Sequence, residues 1–166
     1  DMTVGRRFAV VVAGGQGRRM NNEVPKQFIE ISGKPILVYT LESFLRVEVD
    51  VLILVMAKDH FERWASIKEQ WLPKHSIQIV DGGETRFHSV KNGLKWVEGP
   101  GIVAIHDAAR PCVSAQLINA GYEAAAIHKS AVASVALKDS IREKSGGTTV
   151  SRDRSNYYLI QTPQTF

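Results

Sequence analysis

Three glycines, Gly14, Gly15 and Gly17, stand within four positions directly after an apolar run, and Arg18 and Arg19 follow at once. Glycine lets the backbone adopt positive φ and approach a ligand closely. The free N–H groups of such a turn, from Ala13 onward, can cradle phosphate oxygens. Pro25-Lys26-Gln27 comes a few residues later, and the proline constrains the backbone entering Lys26, which helps aim its ammonium. Phosphoryl and nucleotidyl transfer ask little covalent help from protein. They need cations placed where negative charge gathers on the phosphorus being transferred. Arg19 and Lys26 are read as that pair, and Arg18 as a solvated surface charge.

Two glycine-loop alternatives fail on spacing. A Walker A loop needs Gly-Lys-Ser/Thr at its end, and none follows here. A dinucleotide fingerprint starting at Gly15 needs Gly or Ala at position 20, where Met20 stands.

Two further segments carry chemistry. In Asp81-Gly82-Gly83-Glu84-Thr85-Arg86-Phe87-His88-Ser89-Val90 a strand meets an amphipathic helix, and the backbone amides and short polar side chains of such a turn could read a pyrimidine edge. A tight turn serving the helix start is the plainer alternative. His106-Asp107-Ala108-Ala109-Arg110-Pro111 ends another strand, and ligands of open parallel sheets gather beyond strand carboxyl ends. Asp107 there suits Mg²⁺, which binds through few protein ligands plus water. Arg110 can face phosphate or brace Asp107, and an Asp107–Arg110 structural ion pair stays open. His106 is read as packing or hydrogen-bonding support. An anionic phosphate oxygen needs no general base to attack.

The elements that must position these residues follow from hydrophobic period. Residues 8–13, 51–57, 77–80, 102–106 and 131–136 are apolar runs that read as strands. Phe61, Trp64, Ile67 and Trp71 recur at spacings of three and four, as do Phe87, Val90, Leu94 and Val97, so each set predicts an amphipathic helix. Pro35 at a first helical position opens another, through about Arg46. The alternation predicts an α/β, Rossmann-like fold, a mostly parallel sheet with helices on both faces. After Leu137 the pattern changes. Two extended stretches flank Ser145-Gly146-Gly147-Thr148, a hairpin signal, and predict a small antiparallel β-arm over 138–160. A two-stranded ribbon is marginal alone, so the arm is expected either to pair with a partner subunit, giving a homodimer, or to be an exposed loop.

With 166 residues the chain suits a single domain, 1–166. The lone Cys112 excludes an internal disulfide and fits a reducing compartment, with cytoplasm as the default. No apolar run is long enough to span a bilayer, and no membrane partner is expected. The net charge is +4, yet no run of Lys and Arg exceeds two, and the aromatic-and-basic platform of a single-strand binder is missing. Small phosphorylated ligands fit better than nucleic acid.

Ala13-Gly14-Gly15-x-Gly17-x-Arg19-Met20 with Pro25-Lys26-Gln27 resembles the signature of sugar-phosphate nucleotidyltransferases. More narrowly, together with Asp-Gly-Gly-x-x-Arg-x-x-Ser-Val and Ala-Ala-Arg-Pro, the chain is similar to the 2-C-methyl-D-erythritol 4-phosphate cytidylyltransferase family from about Phe8 to Phe166. The family usually has a second Ala where Gly14 stands, and Asp where Glu84 stands. The resemblance implies CMP transfer from CTP to 2-C-methyl-D-erythritol 4-phosphate, with pyrophosphate released and a divalent cation, Mg²⁺, as cofactor. It implies that Ala13, Gly14, Gly15, Gly17, Arg19, Lys26, Gly83, Glu84, Ser89 and Ala108 bind the nucleotide. Arg19 and Lys26 would stabilise the transition state, and Asp107 would hold the metal. Arg110, Ser140 and Arg154 would serve the acceptor, Arg154 often across a dimer interface. Arg142 stands where the family has Lys, and Arg152, in place of a usual Val, could compete with Arg154. The family pattern also continues past Phe166 with another metal-binding Asp and an acceptor-positioning Lys, without counterpart here, which implies nucleotide binding with poor turnover by the chain as it stands. Ribitol 5-phosphate cytidylyltransferase is the near alternative. A non-catalytic nucleotide-binding module is the alternative of another class.

Overall fold

A computed structural model describes residues 5–13 and 24–166. Ten strands and four helices alternate along them: β1 (Arg6–Val12), β2 (Glu30–Ile31), β3 (Lys34–Pro35), α1 (Ile36–Leu45), β4 (Val51–Met56), α2 (Phe61–Trp71), β5 (Gln78–Asp81), α3 (Arg86–Leu94), β6 (Gly101–Asp107), α4 (Ala115–His128), β7 (Ala131–Ala136), β8 (Ile141–Ser145), β9 (Thr148–Arg152) and β10 (Tyr158–Thr165). Six strands form one sheet in the order β5-β4-β1-β6-β10-β7. β5, β4, β1 and β6 run parallel, and β10 lies antiparallel to both β6 and β7. The Rossmann-like α/β expectation holds, with one antiparallel strand let into it.

Period-two alternation on β1 sends side chains to two different cores. Ala9 and Val11 join α1, α2 and α4 through Leu41, Phe44, Trp64, Ile118 and Tyr122. Val10 and Val12 meet Ile53, Val55 and Ile105 on the other face, with Val90 and Val97 packed alongside. Both faces of the central strands are therefore dry, which explains their near-continuous apolar sequence. Tyr122 is fully buried, and its hydroxyl donates to the Phe8 carbonyl at 2.7 Å. Burial pushes that hydroxyl's pKa well up, so it stays a donor.

Three differences from the sequence reading have physical causes. First, α4 is not among the helices that apolar spacing predicts, although Ser114 caps it through a bond from Leu117 N–H and Ile118, Tyr122 and Ala125 form its buried stripe. Alanines between those positions blur the stripe. Second, the predicted face is buried only in part: Val90 and Val97 pack against the core, whereas Phe87 and Leu94 are exposed. Phe87 is 69% exposed, and the fully buried positions are Ser89 and Gly93. A Cβ on Gly93 would stand 2.6 Å from Val10 Cγ1 and 2.9 Å from Val55 Cγ2, so only the smallest residue lets this helix sit so near the sheet. Third, β10 returns the chain into the main sheet through polar Gln161-Thr162-Pro163-Gln164, and a bulge between Ile160 and Gln164 absorbs the proline.

Pro35 directly precedes α1 and pairs with Glu30 across the short β2–β3 ladder. The expected hairpin is present as β8–β9, with Gly146 and Gly147 at φ of 50° and 86° in the turn.

Candidate nucleotide-transfer site

The parallel strands β1, β4, β5 and β6 end on one edge of the sheet, and the chemistry-bearing segments meet there. Of the nucleotide-cradle residues, Gly14, Gly15, Gly17 and Arg19 lie outside the described residues, as do Arg18 and Met20. Ala13 is described and buried; its N–H donates to the Val55 carbonyl at 2.7 Å. Its carbonyl accepts from Gln27 Nε2 at 3.0 Å. That bond spans 14 residues and pins the Pro-Lys-Gln segment to Ala13 at the end of β1. Pro25 is extended, and Lys26, Gln27 and Phe28 form one 3₁₀ turn in which Gln27 and Phe28 are buried and Lys26 is exposed. Burying its two neighbours fixes the backbone under Lys26 while its ammonium stays in water.

A cavity of about 150 Å³ opens over the ends of β1, β4 and β5. Ala13 and Gln27 line one side, Ala57 and His60 another, and residues 81–86 with Ser89 the rest. The Asp81 carboxylate accepts from Lys58 N–H at 3.0 Å, tying the turn after β4 to the turn after β5. Gly83 N–H donates to the buried Ser89 Oγ at 3.0 Å. Glu84 stands exposed on the rim. Thr85 caps α3 by accepting from His88 N–H.

Asp107 ends β6, half-buried, with a guanidinium on each carboxylate oxygen. Arg86 reaches Oδ1 through Nε at 3.0 Å and Nη2 at 2.9 Å. Arg110 reaches Oδ2 through Nε at 3.1 Å, and its Nη1 also donates to Gln161 Oε1. Asp107 N–H donates to Thr162 Oγ1 at 3.3 Å. A chain of polar contacts thus runs along the sheet edge from α3 to β10. The Asp107–Arg110 pair that the sequence left open is formed, and Arg86, to which the sequence reading gave no role, is its second arm.

Ala108, expected on the nucleotide side, is fully buried. Its N–H donates to Val12 O at 2.9 Å and its carbonyl accepts from Thr40 Oγ1 at 2.7 Å. These two bonds fasten the turn to β1 and α1. His106 is also fully buried, with Nε2 3.0 Å from the Arg110 carbonyl. Since a carbonyl only accepts, Nε2 carries the proton, and the bare Nδ1 lacks a partner among the described residues. Desolvation holds this imidazole below the ordinary 6.5 against the opposing pull of the Arg110 carbonyl, so it braces the turn as a neutral group.

The remaining acceptor residues sit on the arm. Arg154 donates to the Lys138 carbonyl, which sets it beside the Ser140 segment. Both are exposed. Arg142 folds back on Thr149, at 2.7 Å to Oγ1, and Arg152 pairs with Glu143 across the hairpin. Both arginines thus have a protein partner within the arm. Among the described residues no hydrogen bond or ion pair joins Ser140 or Arg154 to Asp107 or Arg110. Beside Arg110, Gln161 and Thr162 a second cavity of about 400 Å³ opens toward Cys112 and Val135.

Comparison with known proteins agrees along nearly the whole chain. The family pattern described as 2-C-methyl-D-erythritol 4-phosphate cytidylyltransferase (IspD) matches residues 8–166. A Bacteroides fragilis protein of that name is 44% identical over 163 residues, covering 96% of this chain and 74% of that protein. One from Bacteroides thetaiotaomicron is 39% identical over 162 residues, covering 97% and 74%. Among solved structures, 4-diphosphocytidyl-2C-methyl-D-erythritol synthase from Anaerococcus prevotii superposes with a TM-score of 0.84 at 30% identity, covering 98% of this chain and 70% of that one. The Thermus thermophilus cytidylyltransferase gives 0.72 at 28%, covering 98% and 70%.

Proposed function

The chain belongs to the 2-C-methyl-D-erythritol 4-phosphate cytidylyltransferase family, and from that premise we propose how its residues divide the work of transferring CMP from CTP to 2-C-methyl-D-erythritol 4-phosphate. The observation that carries the division is the sheet edge itself. The 150 Å³ cavity lies beside the root of the glycine-rich turn, and the polar chain through Asp107 leads from it to Arg110. The pyrimidine occupies the cavity against Gly83, Glu84 and the Ser89-pinned turn. The triphosphate runs over Gly14, Gly15 and Gly17 toward Arg19 and Lys26. The acceptor lies on the Arg110 side, with Ser140 and Arg154 supplied by the arm of a second copy.

An acceptor phosphate oxygen attacks the α-phosphorus in line. The new P–O bond forms as the α–β bridge breaks, and pyrophosphate leaves with the electron pair. Lys26 and Arg19 stabilise the negative charge on the five-coordinate phosphorus. Asp107 is the residue that fits Mg²⁺. A carboxylate offers about four lone-pair positions, and three guanidinium contacts leave room for one more ligand. Magnesium binds through few protein carboxylates and draws its other oxygens from phosphates and water. Bound there, magnesium would neutralise triphosphate charge.

Pyrophosphate release with CTP and either 2-C-methyl-D-erythritol 4-phosphate or ribitol 5-phosphate tests the reading. Turnover with the first acceptor alone is expected. Lys26→Ala should lower the rate a few hundredfold, about 3 kcal/mol of barrier, without lowering the melting temperature, since Lys26 is exposed. CTP binding without any pyrophosphate from the full-length protein would favour the non-catalytic alternative.

The homodimer belongs to the same reading. Val150 on the arm and Tyr158, Leu159 and Ile160 at the start of β10 are exposed, large apolar side chains that a second copy would cover. Light scattering at a monomer mass would refute it. Among the described residues no helix is long and apolar enough to cross a membrane, and a cytoplasmic location is part of the proposal.

A further inference from the structure

Arg86 is the first residue of α3, and everything around it fixes where its guanidinium can go. Thr85 caps the helix through His88 N–H, Ser89 N–H donates back to the Thr85 carbonyl at 3.0 Å, and Ser89 Oγ holds Gly83. Four residues after Ser89, Gly93 lets the helix close on β1 and β4. From this seat Arg86 crosses to β6 and spends two nitrogens, Nε and Nη2, on one oxygen of Asp107. Arg110 cannot replace that contact. It holds the other oxygen, comes from the same turn as Asp107, and is itself shared with Gln161. One guanidinium per oxygen fixes the rotation of the carboxylate, and among the described residues Arg86 is the one that ties that rotation to the segment lining the 150 Å³ cavity.

We infer that Arg86 is a positioning residue: it acts through Asp107, holding the carboxylate in its working orientation and linking that orientation to occupancy of the neighbouring cavity. This rests on the proposed placement of the nucleotide. A pyrimidine seated against Gly83 and Glu84 braces the turn that begins α3, and Arg86 passes the restraint to Asp107. Arg86 spends Nε and Nη2 on Asp107, and the proposed role runs through that carboxylate.

The test is a double-mutant cycle of Arg86→Ala and Asp107→Asn, with Arg86→Lys as the conservative variant. It is followed by steady-state and single-turnover pyrophosphate release, so that slow variants are still read. Arg86→Ala is expected to lower kcat roughly tenfold, within the range for directly contacting pairs, with the KM for CTP changed less than about threefold. Arg86→Lys should recover part of the loss. In the Asp107→Asn background, Arg86→Ala should cost less than about twofold, because the group it acts through is gone. A raised KM for CTP at unchanged kcat would mean direct nucleotide binding and overturn the proposal. So would an Arg86→Ala effect of full size beside Asp107→Asn. If the unmutated protein releases no pyrophosphate, it is the transfer reading that has failed, and the Arg86 Nε–H resonance decides this one. A signal displaced by Asp107→Asn supports the link, and an unmoved signal ends it.

Discussion

His106 and Asp107 are neighbours in sequence with opposite environments, and the difference sets what each can do. Asp107 is at the wet end of β6 with guanidinium partners, whereas His106 is wholly buried and its imidazole is kept neutral chiefly by desolvation. Its consequence is for stability, and the sign follows from linkage. The folded-state pKa lies below the unfolded 6.5, so as pH falls through 6.5 the unfolded chain takes up the proton first. Stability then falls with pH until the folded-state pKa is passed. Melting temperatures of metal-free protein should drop more steeply below pH 6.5 than those of His106→Gln, which keeps a donor for the Arg110 carbonyl and does not titrate. Parallel curves would show that the buried imidazole carries none of the acid sensitivity.

At the scale of elements, α3 decides the shape of the cavity, and a missing side chain decides where α3 lies. Alanine is favoured over glycine in a helix interior by about 1 kcal/mol, so propensity alone would make Gly93→Ala stabilising. The added Cβ would stand 2.6 Å from Val10 Cγ1 and 2.9 Å from Val55 Cγ2, both on buried strands. Overpacking of this sort costs about 1–3 kcal/mol, and the clash outweighs the propensity. Gly93→Ala should therefore lower stability in urea titrations. It should also raise the KM for CTP, because Thr85, Arg86 and Ser89 move with the helix. A more stable variant with unchanged KM would show that the helix has slack.

For the molecule as a whole, charge sets the order of events. The protein carries a net +4, and the one carboxylate proposed for magnesium is flanked by two arginines. A bare divalent cation meets repulsion there, whereas a triphosphate brings its own compensating charge. Calorimetry should show no magnesium binding without nucleotide and clear binding with CTP present. Binding of similar strength in both would place the metal away from Asp107.

The sequence by itself determined the central strands, the predicted α2 and the hairpin, because burial on two faces, 3.6-residue period and a Gly-Gly turn each write a local pattern. It also located Asp107, Lys26 and the Asp-Gly-Gly turn, since each sits at an element boundary marked by glycine, proline or the end of an apolar run. Tertiary structure alone decided that Arg86 and Arg110 share Asp107, that Gln27 pins the Lys26 turn to Ala13, that Ala108 spends both backbone groups inside, and that α3 buries Ser89 and Gly93 instead of Phe87. Those contacts join residues by strand order and helix seating, and the period of a sequence shows which face of an element is apolar but not which distant partner it meets.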